Sequence, residues 1–160
     1  GRGSLGRVMC NDAGFDLDSF LPYQLAVLSA RISRDFARIY SREFGITIPE
    51  WRVIAHLAQA GTVSVREIHA RVDMDKSKVS RAAARLESAG LIEKAGHPGD
   101  RRLVALSLTE KGRALMARIV PFARAYEAEV LARLDPAETA VFRRVIEQLL
   151  ARPRLAEETE

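Results

Sequence analysis

Residues 75–109 read DKSKVSRAAARLESAGLIEKAGHPGDRRLVALSLT. Asp75 is an N-cap residue type and opens a helix predicted over residues 76–89. Within it Val79, Ala83 and Leu86 recur at i, i+4 and i+7, so they share one face and must pack inward. Gly90 supplies the C-terminal stop. Residues 91–95 then read as a strand, His97-Pro98-Gly99-Asp100 as turn chemistry, and residues 103–108 as a second, apolar strand. Arg101 and Arg102 sit at the tip of this hairpin.

Upstream, Ser64-Val65-Arg66-Glu67 is a capping box that opens a short helix through Ile68 and Val72. Only Asp73-Met74-Asp75 separate it from the next helix, which makes the pair a helix-turn-helix candidate. Thr47-Ile48-Pro49-Glu50 is a further capping box with Pro in the first turn, opening a helix through Trp51, Ile54 and Leu57 to Gly61. Before it, Leu21, Leu25, Leu28, Ile32, Phe36 and Ile39 recur at three- and four-residue steps, an amphipathic helix of about 24 residues that Gly45 ends. So long an apolar stripe needs a partner surface, either in its own domain or on a second copy. Downstream, Thr109 or Ser107 caps a helix over residues 110–134, with Leu115, Ile119, Phe122, Tyr126 and Val130 on one face and Pro121 predicting a kink. Asp135-Pro136-Ala137-Glu138 caps a last helix through Val141, Val145, Leu149 and Leu150, which stops near Pro153. The order is four helices, two strands and two helices: a mainly α (α+β) chain of six helices with a two-stranded hairpin. A helix-turn-helix followed at once by a basic-tipped hairpin is the layout of a winged helix.

A chain of 160 residues fits one domain. With 48% hydrophobic and 29% charged residues it reads as globular. It holds no run of about 18 apolar residues that would span a membrane. No apolar signal-peptide core opens it, so a cytoplasmic protein is expected. The single cysteine, Cys10, excludes an intramolecular disulfide and a multi-cysteine metal site. Residues 1–19 read as a flexible tail, with Met9 a candidate start, and residues 153–160 as an acidic tail. Asp12 and Asp16 near Cys10 do not favour a thiolate, so no redox role is assigned to it. His56 and His69 have no ligands at metal spacing, and HExxH, Gly-rich phosphate-loop and GxSxG motifs are all missing. The chain is expected to be no enzyme and to need no cofactor or metal.

The net charge is only +4, but it is clustered. From Met74 to Arg102 seven basic residues (Lys76, Lys78, Arg81, Arg85, Lys94, Arg101, Arg102) face four acidic ones. Opposite the apolar face of the 76–89 helix stand Ser77, Lys78, Ser80, Arg81, Ala84 and Arg85. Small residues there let a helix seat in a major groove about 12 Å wide, while Lys and Arg reach guanine or phosphate. Ser77 and Lys78 are the expected base or phosphate contacts and Arg81 the base reader. Arg85 and Lys76 are assigned to phosphate.

Three stretches resemble the multiple-antibiotic-resistance regulator (MarR) family: Asp100-Arg101-Arg102 followed after five residues by Leu108-Thr109, as in its wing; residues 75–81, Arg85-Leu86-Glu87 and Gly90-Leu91-Ile92, as in its recognition helix and exit; and Ile48 to Ile54, as at the start of its second helix. The resemblance spans residues 20–152, as one domain. It implies dimerisation helices over 20–45 and 110–152 around a winged helix-turn-helix lobe over 47–109. It further implies a homodimeric repressor that binds a palindromic operator in double-stranded DNA and is released by a small ligand. It assigns Arg102 to the minor groove, with Asp100 holding the wing arginine by an ion pair. In such a dimer the ligand pocket lies between the dimer helices and the DNA-binding lobe, where Tyr23, Arg31, Trp51, Arg52 and His56 could line it. Arginine beside aromatic rings would suit an anionic or aromatic effector, such as an aromatic acid or its CoA thioester. The alternative is a winged helix that binds protein and never DNA; its binding would be insensitive to salt.

Overall fold

The computed structural model describes residues 14–72, 74–97, 99–153 and 155, with side chains at all of these except 97 and 100–103. Helix α1 spans Leu21–Phe44, α2 Ile48–Ala60, α3 Val65–Val72 and α4 Lys76–Ser88, followed by strands β2 Ile92–His97 and β3 Asp100–Leu108 and helices α5 Glu110–Leu131 and α6 Pro136–Ala151. A short strand β1, Val63–Ser64, precedes α3. The chain divides into two compact units, one ending at Ile48 and one starting at Pro49.

In the first unit α1 begins where the apolar spacing predicts and closes at Gly45, whose N–H donates to Ser41 O at 2.9 Å. Its stripe is graded: Leu21, Leu25 and Leu28 are exposed, Ile32, Phe36 and Ile39 half-buried. Its one buried residue is Tyr40, off the stripe, with the Phe36 ring edge-on at 5.0 Å. Part of the segment expected to be a flexible tail takes regular structure. Leu17–Ser19 form a 3-10 turn, capped by Asp16, which accepts from the Asp18 N–H at 3.1 Å. Met9 and Cys10 lie outside the described residues.

In the second unit Ile54 and Leu57 of α2, Ile68 and Val72 of α3, Val79, Ala83 and Leu86 of α4 and Ile119 of α5 are buried as the spacing predicts, whereas Val53 takes the buried place on α2 while Trp51 is only half-buried, and Leu115, Phe122, Tyr126 and Val130 of α5 are half-buried too. Ala82 joins them, which gives α4 a two-column inner face. The hairpin is one strand larger than expected. β1 pairs antiparallel with β3 (Val63 with Leu106, Ser64 with Ala105), so the sheet has three strands in the order β1-β3-β2. Two residues are too few to show a period of two. Ser64 also signals as a helix cap, a role it keeps, accepting from Glu67 N–H at 3.1 Å. The strands also outrun their predicted ends. His97 pairs with Asp100, so Asp100, Arg101 and Arg102 begin β3 and are no part of the turn.

Two glycines set where the hairpin leaves the helices. Gly90 takes φ 72°, and Leu91 N–H then reaches Leu86 O at 3.0 Å while Gly90 N–H reaches Glu87 O at 2.9 Å, a complete Schellman termination of α4. Gly112, in the first turn of α5, sits against the Leu91 carbonyl so closely that a Cβ there would overlap it. Thr109 caps α5, accepting from Gly112 N–H at 3.1 Å, and its hydroxyl donates to Gly90 O at 2.6 Å. Lys111 adds a bond to Ala89 O at 2.7 Å. α5 continues through Pro121 and ends at Leu131, three residues short of the predicted end. α6 carries the full Asp135–Glu138 capping box and has no buried residue.

Candidate nucleic-acid interface

The α3–turn–α4 segment presents α4 by its cap. Asp75 Oδ1 accepts from Lys78 N–H at 2.9 Å and from the Ser77 hydroxyl at 2.6 Å. Those two bonds, the hydroxyl first, hold the Asp75 carboxyl below its usual range. Ser77 therefore spends its donor on the cap and offers only oxygen lone pairs outward. Lys76, Lys78, Ser80, Arg81, Ala84 and Arg85 are all exposed on the opposite side from Val79, Ala82, Ala83 and Leu86, as the spacing predicts.

The cations on this face are not equivalent. Arg85 Nε donates to Glu50 Oε1 at 3.0 Å, and the Glu50 residue is only 9% exposed. Glu87 takes Lys94 of β2 at 3.8 Å. Lys76, Lys78 and Arg81 form no ion pair among the described residues. Three exposed cations on one small-residue helix face are what a polyanion meets first. At the wing, the backbone of Asp100, Arg101 and Arg102 opens β3, while their side chains and that of His97 lie outside the described ones.

Tyr23 and Arg31 line one open groove of about 280 Å³ with Asp18, Gln24, Val27 and Leu28. His56 lines another, of about 520 Å³, with Gln59, Ala60 and Arg71. Burial, and then the Arg71 charge, push the His56 imidazole below its ordinary pKa. Trp51 and Arg52 are half-buried on α2.

Two residues with a part in this region escaped the sequence reading. Glu50 reads there only as the last residue of the Thr47-Ile48-Pro49-Glu50 capping box, and no local pattern links it to a partner 35 positions away. His69 reads as a histidine without metal ligands; its ring nitrogen Nδ1 lies 2.8 Å from Met74 O, in the turn before α4. Among the described residues no group of three His, Cys, Asp or Glu side chains could hold a metal, and no helix is long and apolar enough to cross a membrane.

Comparison with known proteins meets this geometry. The sequence model of the MarR family matches residues 44–103, from the end of α1 into β3. The chain is similar to the HTH-type transcriptional repressor Rv2887 of Mycobacterium tuberculosis, at 30% identity over 105 residues that cover 66% of this chain and 76% of that protein. The crystal structure of a MarR/EmrR family transcriptional regulator from Acinetobacter sp. ADP1 matches with a TM-score of 0.74 at 31% identity, covering 84% of this chain and 95% of that one. Bordetella bronchiseptica BpsR, whose DNA binding is regulated by 6-hydroxynicotinic acid, matches in fold with a TM-score of 0.74 at 23% identity, covering 87% and 99%.

Proposed function

The chain belongs to the MarR family, transcriptional regulators with a DNA-binding winged helix, and on that premise we propose that it is a homodimeric repressor of a palindromic operator, released by an anionic aromatic ligand. The observation that carries the DNA reading is the exposed face of α4, where Lys76, Lys78 and Arg81 stand among small side chains with no ion pair among the described residues, while the other face is core. Lys78 and Arg81 read bases or phosphate in the major groove, and Lys76 and Ser80 meet the backbone. Arg85 reaches phosphate only by sharing its charge with Glu50. Arg101 and Arg102, at the start of β3, serve the adjoining minor groove, whose negative potential favours arginine, with Asp100 as the partner that holds them.

The dimer rests on apolar surface that a single copy leaves exposed. Val141, Phe142, Val145, Ile146, Leu149 and Leu150 of α6 are all exposed, as are Leu21, Leu25 and Leu28 of α1. Apolar surface of this kind, on each helix by itself, marks an interface, and a second copy covers it. Two α4 helices one DNA turn apart, about 34 Å, then meet successive major grooves. For the ligand, the Arg31 guanidinium and the Tyr23 ring share a groove suited to an aromatic carboxylate. The 6-hydroxynicotinic acid of BpsR is of that class. Such a ligand releases DNA by binding more tightly to the dimer geometry in which the two α4 helices are wrongly spaced.

The test is binding of the purified protein to the DNA upstream of its own gene, against random DNA of equal length, over a salt series. A steep salt slope with clear preference for the upstream fragment is expected. Binding that neither distinguishes the two DNAs nor responds to salt would overturn the DNA reading in favour of a protein-binding winged helix.

A further inference from the structure

Helix α3 is only eight residues long, and the orientation of α4 against it is set by the turn between them. The hydrogen bonds of that turn can be followed atom by atom. The ladder of α4 starts at Asp75 O, which accepts from Val79 N–H at 3.2 Å. Met74 O lies one residue outside the ladder, so its partner comes from elsewhere than α4. His69, in the last turn of α3, provides it: its Nδ1 is 2.8 Å from Met74 O. A carbonyl only accepts, so Nδ1 carries the hydrogen. The chain of bonds is then continuous, from α3 through His69 to Met74, on to the neighbouring Asp75, and from the Asp75 carboxylate to Lys78 N–H and the Ser77 hydroxyl.

We infer that His69 is a positioning residue for DNA reading, which ties α3 to the residue just before the α4 cap through its Nδ1–H and so holds the first turn of α4 at the angle that base contacts require. The inference rests on the DNA-binding reading above. His69 itself touches no DNA in this scheme. Binding to any DNA depends on how many phosphates are neutralised, and the tie contributes none. Reading of bases depends on placement of the donors to within about 0.5 Å. Loss of the tie therefore lowers preference and leaves charge-driven binding intact.

Two variants separate this from a general loss of structure. His69→Phe keeps a ring and removes the donor. His69→Asn places an N–H donor the same number of bonds from Cα as Nδ1, with a helix propensity close to that of histidine. The measurement is affinity for the upstream fragment and for random DNA, over the same salt series. His69→Phe is expected to lose roughly three- to ten-fold in preference, the scale of one net hydrogen bond, with an unchanged salt slope. His69→Asn is expected to recover most of that loss. An equal loss on both DNAs, an unchanged preference in His69→Phe, or no recovery in His69→Asn would each overturn the inference while the DNA reading stands. Wild-type protein with no preference would overturn both. If His69→Phe does not fold, long-range ¹H–¹⁵N spectra of the wild-type imidazole decide: a hydrogen on Nδ1 is expected, and a ring carrying it on Nε2 alone would overturn the tie.

Discussion

The guanidinium of Arg85, on the outward face of α4, lies 3.0 Å from the Glu50 carboxylate in the first turn of α2. Half of the Arg85 side chain remains exposed, against 12% for Glu50. The pair is therefore asymmetric. Removing Arg85 takes a charged partner from a nearly buried carboxylate, whereas removing the Glu50 charge releases a cation beside the DNA-reading residues. Arg85→Ala should destabilise the fold by about 1–2 kcal/mol in chemical denaturation, more than Arg81→Ala, whose residue forms no ion pair among the described residues. Glu50→Gln should tighten binding to random DNA and steepen the salt slope by about 0.9, as one more phosphate contact becomes available. An unchanged slope in Glu50→Gln would mean that Arg85 faces no phosphate.

The cations of α4 should separate by role. Arg81→Ala should cost about 1–3 kcal/mol on the preferred site and relax the preference, while Lys76→Ala should weaken all sequences about equally and reduce the salt slope by about 1. Arg102→Ala should weaken binding to the preferred fragment; a fluorescence titration with no loss would remove Arg102 from the minor groove.

Gly112→Ala should be among the costlier single-methyl changes in the chain. The added Cβ meets the Leu91 carbonyl, which also accepts from Thr109 N–H at 3.1 Å, so backbone must move. Overpacking of this kind costs about 1–3 kcal/mol, and thermal unfolding should show it. Ala114→Gly, two residues on, is the control for propensity alone, at about 1 kcal/mol.

His56 should make the protein lose stability as the solution is acidified. Burial, and then Arg71, hold its imidazole below the ordinary value of 6.5 in the folded state. The unfolded chain therefore takes up the proton more readily. The contribution is fully present above pH 6.5 and is lost as the pH falls below it toward the folded value. Melting temperatures at pH 7.5 and 5.5 should differ by less in His56→Gln than in the wild type. An equal difference would place the acid sensitivity elsewhere.

The apolar face of α6 should reveal itself by mass. Val145→Glu or Leu149→Glu puts a charge where the proposed second copy packs, and light scattering should then show a monomer at concentrations where the wild type is a dimer. A wild-type monomer would overturn the dimer. Val145 and Leu149 are exposed at 39% and 47%, so neither change strains the isolated chain.

Much of this was legible from residues close together in the chain. Asp75, Thr109 and Asp135 each cap the helix that follows through a donor three residues on, and the residue type at the cap position announces that bond. The two faces of α4 could be assigned residue by residue because burial on one side of a helix repeats at 3.6. Gly90 marked the exit into the wing because few other residues accept the left-handed turn it makes. The strand ends read less well, since His97 and Asp100 carry turn chemistry yet pair across β2 and β3.

By itself, then, the sequence determined the helices, their caps, the inward face of α4, the hairpin and the clustering of positive charge about it, because each depends on interactions within one or two turns of chain. Tertiary structure alone decided that β1 completes the sheet, that Gly112 lies on the Leu91 carbonyl, and that Arg85 belongs half to Glu50. Partners 21 to 43 positions apart leave no period or spacing in the sequence, and they meet only when packing of the apolar faces brings their backbones together.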